Sequence, residues 1–413
     1  MQCGLHRTTS LIASARFDNH ERQMTHDFDQ VIPLRNTHSS KHDNTAARDC
    51  HADDGLAMWV ADMDFRPPQA VIDVLRAEVD RGVFGYFAGD DTTRGAICGW
   101  LEAMHGWKID PAWINFSHGV GHGLSLTLHA FTDPGDGVIM FTPFYHSFLK
   151  RVPAMGRRVV VSQLRLENGR YELDLGALEA SLAGHEKAVI LCSPHNPGGR
   201  MWSAAEIAAV ADFCLKHDLI LISDEIHMDL TFPGQTHLPT AVAAPQALPR
   251  LVYLSSASKG FNIAGAETSF IVTPDPAIRD RLASARAAYG GTPNRFGMLM
   301  TEACFAQGHG WNAGMRAYLR DNFHVLRDGL NAIPGVRVMD MAATYLAWVD
   351  FENTGMPRQD FTRRVARDAR IAVESGPTFG TGGESFLRFN FAAPRSVISE
   401  AVVRMQAAFS DLQ

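Results

Sequence analysis

The chain has 413 residues, 46% hydrophobic and 20% charged, with 35 Gly and 20 Pro; this is neither a disordered nor a collagen-like composition, and about 150 residues per domain predicts two or three domains or one large α/β unit with an appended lobe. The formal charge of -7 contains no basic run, so a phosphate-tracking nucleic-acid surface is not expected. Six cysteines (Cys3, Cys50, Cys98, Cys192, Cys214, Cys304) form no C-x-x-C pair, and no apolar run reaches the ~18 residues of a membrane span. Leu11 to Ala15 is too short for a signal-peptide core, so the expected setting is the reducing cytoplasm, with no zinc and no membrane partner.

Residues 1–25 are polar and without periodicity and are expected to be an extension outside the fold. From Trp113 onward short apolar runs alternate with amphipathic stretches. INFS precedes the helical LSLTLHAF, GVIMF follows, KAVILC precedes the helical AAEIAAVADFCLKH, and LILIS, RLVYLSS and TSFIV complete the series. Such alternation predicts a mostly parallel sheet covered on both faces. Turns fall at Asp133-Pro-Gly and Asn196-Pro-Gly-Gly. After Trp311 come a long helix, the strand TYLAWVDF, a helix through Arg370, the strand FLRFNFA and a final helix, an α+β order. The expected organisation is a large domain of residues 76–310 and a smaller one assembled from 26–75 and 311–413. A cofactor cleft would lie between them, at the carboxyl ends of the strands.

Several residues at predicted strand ends carry possible chemistry. Lys259, in Ser255-Ser-Ala-Ser-Lys-Gly-Phe-Asn262, follows RLVYL. It is either a solvated loop lysine or, with a lowered pKa, an amine that forms a Schiff base with a carbonyl cofactor. Asp224, after LILI, either caps the next segment or pairs with a protonated pyridine nitrogen; His227, three residues on, is within reach of the same ring. Asn196 lies in a Pro-His-Asn-Pro-Gly-Gly turn, where its side chain either shapes the turn or donates to a ring oxygen. In Ser117-His-Gly-Val-Gly-His-Gly123 the amides of Val120 and Gly121 open a helix, which suits a phosphate; the spacing fits neither a dinucleotide nor a nucleoside-triphosphate loop. Tyr145, after GVIMF, is a core aromatic or a ring stacked on a planar cofactor.

Taken in order, these elements resemble fold-type I pyridoxal-phosphate enzymes, with the aspartate aminotransferase-like α/β fold. The segments FDQVIPLRNTHSSKHD, MWVADMDF, GVFGY, CSPHNPGGRMW, SDEIHMDL, SKGFNIAG, TYLAW and FLRFNFAAPR resemble most the MalY/PatB carbon-sulfur β-lyases, over about Asp27 to the C-terminus. The resemblance implies pyridoxal 5'-phosphate held covalently by Lys259, with Asp224 at the pyridine nitrogen, Asn196 at the ring oxygen, His227 beside the ring and Tyr145 stacked on it. It further implies a phosphate held by Val120, Gly121 and Ser256, and a homodimer in which Tyr86 reaches the neighbouring subunit's cofactor. Arg388 would grip the substrate carboxylate, and Ala61 would offer it a backbone contact. The implied reaction is β-elimination from cystathionine or a cysteine conjugate, giving a thiol, pyruvate and ammonia. Transamination by the same machinery is one alternative, and a partner-binding regulatory protein retaining the fold is another. Four positions depart from the pattern: Glu267 where many relatives in the broader class carry a phosphate-binding arginine, His122 within the cradle, Gly260 in place of a common threonine, and His42 in place of a frequent tryptophan.

Overall fold

In the computed structural model of the protein, residues 26–412 are described; the expected extension 1–25 and Cys3 lie outside them. Seven strands form the central sheet in the order Ile114–Ser117, Ser269–Val272, Leu251–Ser255, Ile220–Asp224, Glu186–Cys192, Gly137–Thr142, Arg158–Gln163. Six of them run the same way. Ser269–Val272 is antiparallel to both neighbours, because the chain between Ser255 and Ser269 stays on one edge of the sheet and holds only two short helical turns. A parallel return would need a full crossover. The edge strand Arg158–Gln163 belongs to none of the apolar runs recognised from sequence. Its arginine, serine and glutamine weaken the apolar signal, and only Ser162 is buried.

The inner strands are largely apolar because both sheet faces are covered, with their polar residues at the strand ends. Val138, Met140, Ile190, Ile222 and Val252 pack with Leu124 and Leu128 of the helix Gly119–Phe131. Ile139, Phe141, Val189, Leu191 and Leu221 join the larger core on the opposite face.

A second sheet, wholly antiparallel, has the order Arg337–Val338, Leu346–Asp350, Phe386–Asn390, Glu374–Ser375. Arg388 is opposite both Trp348 and Glu374 in its register. The N-terminal strand Leu56–Ala57 pairs in parallel with Ile371–Ala372, so chain ends more than three hundred residues apart share one ladder.

Residues 58–65, which follow that strand, have almost no regular structure, yet their carbonyls are taken one after another. Met58 O accepts from Asn390 N, and Trp59 O from Arg388 Nη2. Val60 O and Asp62 O accept from Asn390 Nδ2, Asp62 O also from Lys41 Nζ, and Met63 O from Asn262 Nδ2. Unpaired, such groups would each cost on the order of 1–3 kcal/mol on burial. Side chains from distant elements thus do here what a neighbouring strand does elsewhere.

Candidate active site

Because six central strands point the same way, their carboxyl ends deliver Gly119, Tyr145, Asn196, Asp224 and Lys259 to one edge of the sheet. The turns that follow are locked. His195 Nε2 donates to Pro143 O at 3.0 Å while its Nδ1 accepts from Gly198 N, which fastens the Tyr145 and Asn196 loops together. Burial lowers His195 to about 4, so it holds this position as a neutral ring. Behind Asp224, the Glu225 carboxylate takes the Ser223 hydroxyl, the Thr240 amide and His237 Nε2.

Asp224 itself is buried, and among the described residues its carboxyl accepts a hydrogen bond from the Ile226 amide alone, at 3.3 Å. Burial raises it to about 7, the first effect being desolvation, so its proton is retained to near neutrality. His227 is also buried, its Nδ1 has no partner among the described residues, and burial, then Lys259 and Arg388, lower it to about 3. A buried imidazole nitrogen without a partner among the described residues, and a buried carboxyl with a single long hydrogen bond, are costly. A flat heteroaromatic ring with a basic nitrogen would relieve that cost.

Arg388 is 2% exposed. Its Nη1 donates to Asn196 Oδ1 at 3.0 Å, its Nη2 donates to Trp59 O at 2.9 Å, and its plane lies over Phe379 at 4.8 Å. With Asn196 Oδ1 committed, Asn196 Nδ2 has no acceptor among the described residues and is available as a donor. Arg388 Nε likewise has no partner among the described residues. A buried guanidinium with spare donors is suited to a carboxylate.

At the opposite end, the helix Gly119–Phe131 begins without a side-chain cap from His118, leaving first-turn amides at Val120 and Gly121 for an anion. Arg151 lies over Gly121, where a Cβ would meet Nη2 at 2.7 Å, and donates to Ser125 Oγ at 3.1 Å. Ser256 is nearby in the sequence of the Lys259 loop, but its hydroxyl proton is given to Thr268 O at 2.6 Å and its oxygen accepts from Ser258 N. With its hydroxyl so committed, what Ser256 would offer an anion is its backbone amide. Tyr145, half-buried at the start of the next helix, has its hydroxyl pushed up by burial, with Arg388 opposing and Asp224 adding to the rise.

Lys259 is 20% exposed at its side chain and burial lowers its pKa. Its Nζ donates to Ala61 O at 2.6 Å, the same carbonyl that accepts from Tyr345 Oη at 2.8 Å, and lies 3.7 Å from Asp62 Oδ1. Ala61 thus presents its carbonyl to the lysine. Tyr86 alone stands apart: it is fully exposed, with Val83 and Phe84 exposed beside it, and makes no hydrogen bond or ring contact within the described chain.

The four departures have structural reasons. A Cβ on Gly260 would lie 2.8 Å from Asp229 Cβ, and Asp229 is held by Trp100 and His105. Glu267 is exposed in a left-handed turn and forms no ion pair among the described residues. His122 accepts from the His118 amide and is lowered by burial, hence uncharged at neutral pH. His42 bonds Asp64 at 2.9 Å, completing a buried group with Lys41.

Asp62, Tyr345, Asn262, Asn390 and His195 were not singled out from the sequence. Each lies within one of the segments quoted above, but its partner is remote, and the segment alone does not show which contact it makes.

The model of the family "Aminotransferase class I and II" matches residues 58–405. Cystathionine beta-lyase PatB of Bacillus subtilis is 36% identical over 86% of this chain and 93% of its own length. Protein MalY of Escherichia coli is 31% identical over 91% and 97%. The crystal structure of cystalysin from Treponema denticola, which contains pyridoxal 5'-phosphate, superposes with a TM-score of 0.90 at 32% identity, covering 94% of this chain and all of that one. The chain belongs to the class I and II aminotransferase family, with the fold-type I architecture, and within it to the MalY/PatB group.

Proposed function

We propose that the protein is a pyridoxal 5'-phosphate-dependent carbon-sulfur β-lyase that converts cystathionine or a related cysteine conjugate to a thiol, pyruvate and ammonia. The observation that carries the reading is the meeting of buried Asp224, His227, Asn196 and Arg388 with Lys259 at the carboxyl edge of one sheet, with the Asp224 carboxyl raised by burial. Relatives named for cystathionine or carbon-sulfur cleavage support the choice of elimination over transamination. When bound, pyridoxal phosphate supplies an aldehyde that captures amines and a pyridine ring that withdraws electrons from Cα.

The chain's own groups then divide the work. Lys259 is the attachment point and the amine that takes the α-proton. Asp224 would pair with the ring nitrogen of the bound cofactor, Asn196 Nδ2 would donate to its ring oxygen, and His227 and Tyr145 would lie against the ring. Val120, Gly121 and Ser256 would hold the phosphate, and Arg388, set in place by Asn196 and Trp59, would grip the α-carboxylate close to Ala61. The same reading divides the chain into a cofactor domain, 76–310, and a smaller domain, 26–75 with 311–413; the ladder joining Leu56–Ala57 to Ile371–Ala372 supports that pairing of ends. It also makes the protein a homodimer, since the exposed Val83, Phe84 and Tyr86 form an apolar surface suited to a second copy.

The test is product analysis with cystathionine and no keto-acid acceptor. Wild type should release pyruvate and ammonia in equal amounts, and Lys259→Ala should lose both this activity, by at least about 10³-fold, and the visible absorbance of the bound cofactor. A colourless wild type after reconstitution, or turnover only with an added keto acid, overturns the proposal.

A further inference from the structure

Two acceptors on the irregular segment 58–65 meet the Lys259 amine: the Ala61 carbonyl at 2.6 Å and the Asp62 carboxylate at 3.7 Å. Asp62 forms no other side-chain hydrogen bond or ion pair among the described residues. Its carboxylate, 36% exposed, lines a cavity of about 220 Å³ shared with Ser39, Lys41, His42 and Asn262. The spacing between amine and carboxylate is fixed by the chain itself. Asn262, three residues beyond Lys259, accepts from Met63 N and donates to Met63 O and Phe65 O, while Asn390 and Lys41 hold Asp62 O. The lysine's loop and the carboxylate's segment therefore move as one piece.

We propose that Ala61 O and the Asp62 carboxylate form a berth for the Lys259 ammonium, where the amine rests whenever it is not covalently engaged and where it is received after taking the α-proton. The inference rests on the assignment of Lys259 above. In the proton transfer the Cα–H bond breaks, an N–H bond forms on Lys259, the electron pair stays on the substrate side, and the new positive charge is met by Asp62. Asp62 is thus a positioning residue.

The surroundings make this berth consequential. Burial and the Arg388 guanidinium both disfavour a charged Lys259, His227 is neutral, and Tyr345 contributes only a hydroxyl to the shared carbonyl. Asp62 is the anion that opposes them.

The experiment uses full-length protein stripped of cofactor. The rate of capture of added pyridoxal phosphate is followed by visible absorbance across pH, with Lys259→Ala subtracted. Removing the opposing charge lets the amine lose its proton at lower pH, so Asp62→Asn should move the midpoint of the rate profile down by about one pH unit, a modest shift for a partly exposed pair. Asp62→Ser should match it, and Asp62→Glu should return most of the shift. A midpoint unchanged in Asp62→Asn and Asp62→Ser, or moved upward, overturns the berth. A wild type no faster than Lys259→Ala overturns instead the proposed function on which it depends.

Discussion

The carboxyl edge of the seven-stranded sheet and the segment 58–65 face each other across Lys259 and are held by opposite means. At the sheet edge, each functional side chain follows directly on a buried strand, and backbone ladders fix its position. The segment has no ladder of its own; backbone bonds tie it at Met58 and Asp64, and side-chain bonds from Asn390, Asn262, Lys41 and Arg388 hold the carbonyls of Trp59, Val60, Asp62 and Met63. The contrast separates two roles. The rigid edge can carry groups in unfavourable states, such as a buried carboxyl, because many strands share the cost. The strapped segment presents backbone and carboxylate acceptors whose placement depends on a few polar residues.

The largest effect that would test this contrast concerns Asp224. Its folded pKa of about 7 lies above the ordinary 3.8, so the stability of its protonated form is fully present below about pH 4 and is lost as pH rises to about 7. In cofactor-free protein, Asp224→Asn should therefore stabilise the fold by on the order of 4 kcal/mol at about pH 8 and by markedly less at about pH 5, read from urea unfolding. Equal gains at both pH values would show that the edge carries no such strain.

A smaller loss is expected from Asn390→Ala, which removes donors to Val60 O and Asp62 O and an acceptor for Ala392 N. About 2–4 kcal/mol should be lost. Hydrogen exchange should quicken in the residues bonded to the segment while amides in Ile220–Asp224 stay protected; uniform loosening would erase the distinction between the two regions. Gly260→Ala should cost least, about 1–2 kcal/mol in unfolding free energy, because its Cβ must displace Asp229. No measurable loss would mean that the Lys259 loop yields more easily than the tight contact indicates.

Lys259, Asp224, Asn196 and Tyr145 could be found in the sequence because each comes directly after an apolar run that ends a strand, and His227 because it follows Asp224 at close spacing. Asp62 and Tyr345 gave no such signal. Ala61 and Lys259 are 198 residues apart, and Ala61 and Tyr345 are 284 apart, so nothing in the local pattern announces that they meet. The edge strand Arg158–Gln163 escaped for a different reason: its side chains are mostly exposed or half-buried, with polar residues at its two ends, so it lacks the continuous apolar run of its inner neighbours.

Sequence by itself determined the alternation of strands and helices, the common direction of most strands, and hence which residues share the sheet's carboxyl edge, because hydrophobic periodicity and turn residues act over a few positions. Tertiary structure alone decided the reversal of Ser269–Val272, the burial that raises Asp224 and lowers His227, the commitment of Asn196 to Arg388, and the meeting of Lys259 with Ala61 and Asp62. Those outcomes depend on desolvation and on bonds between chain segments hundreds of residues apart, which no local pattern encodes.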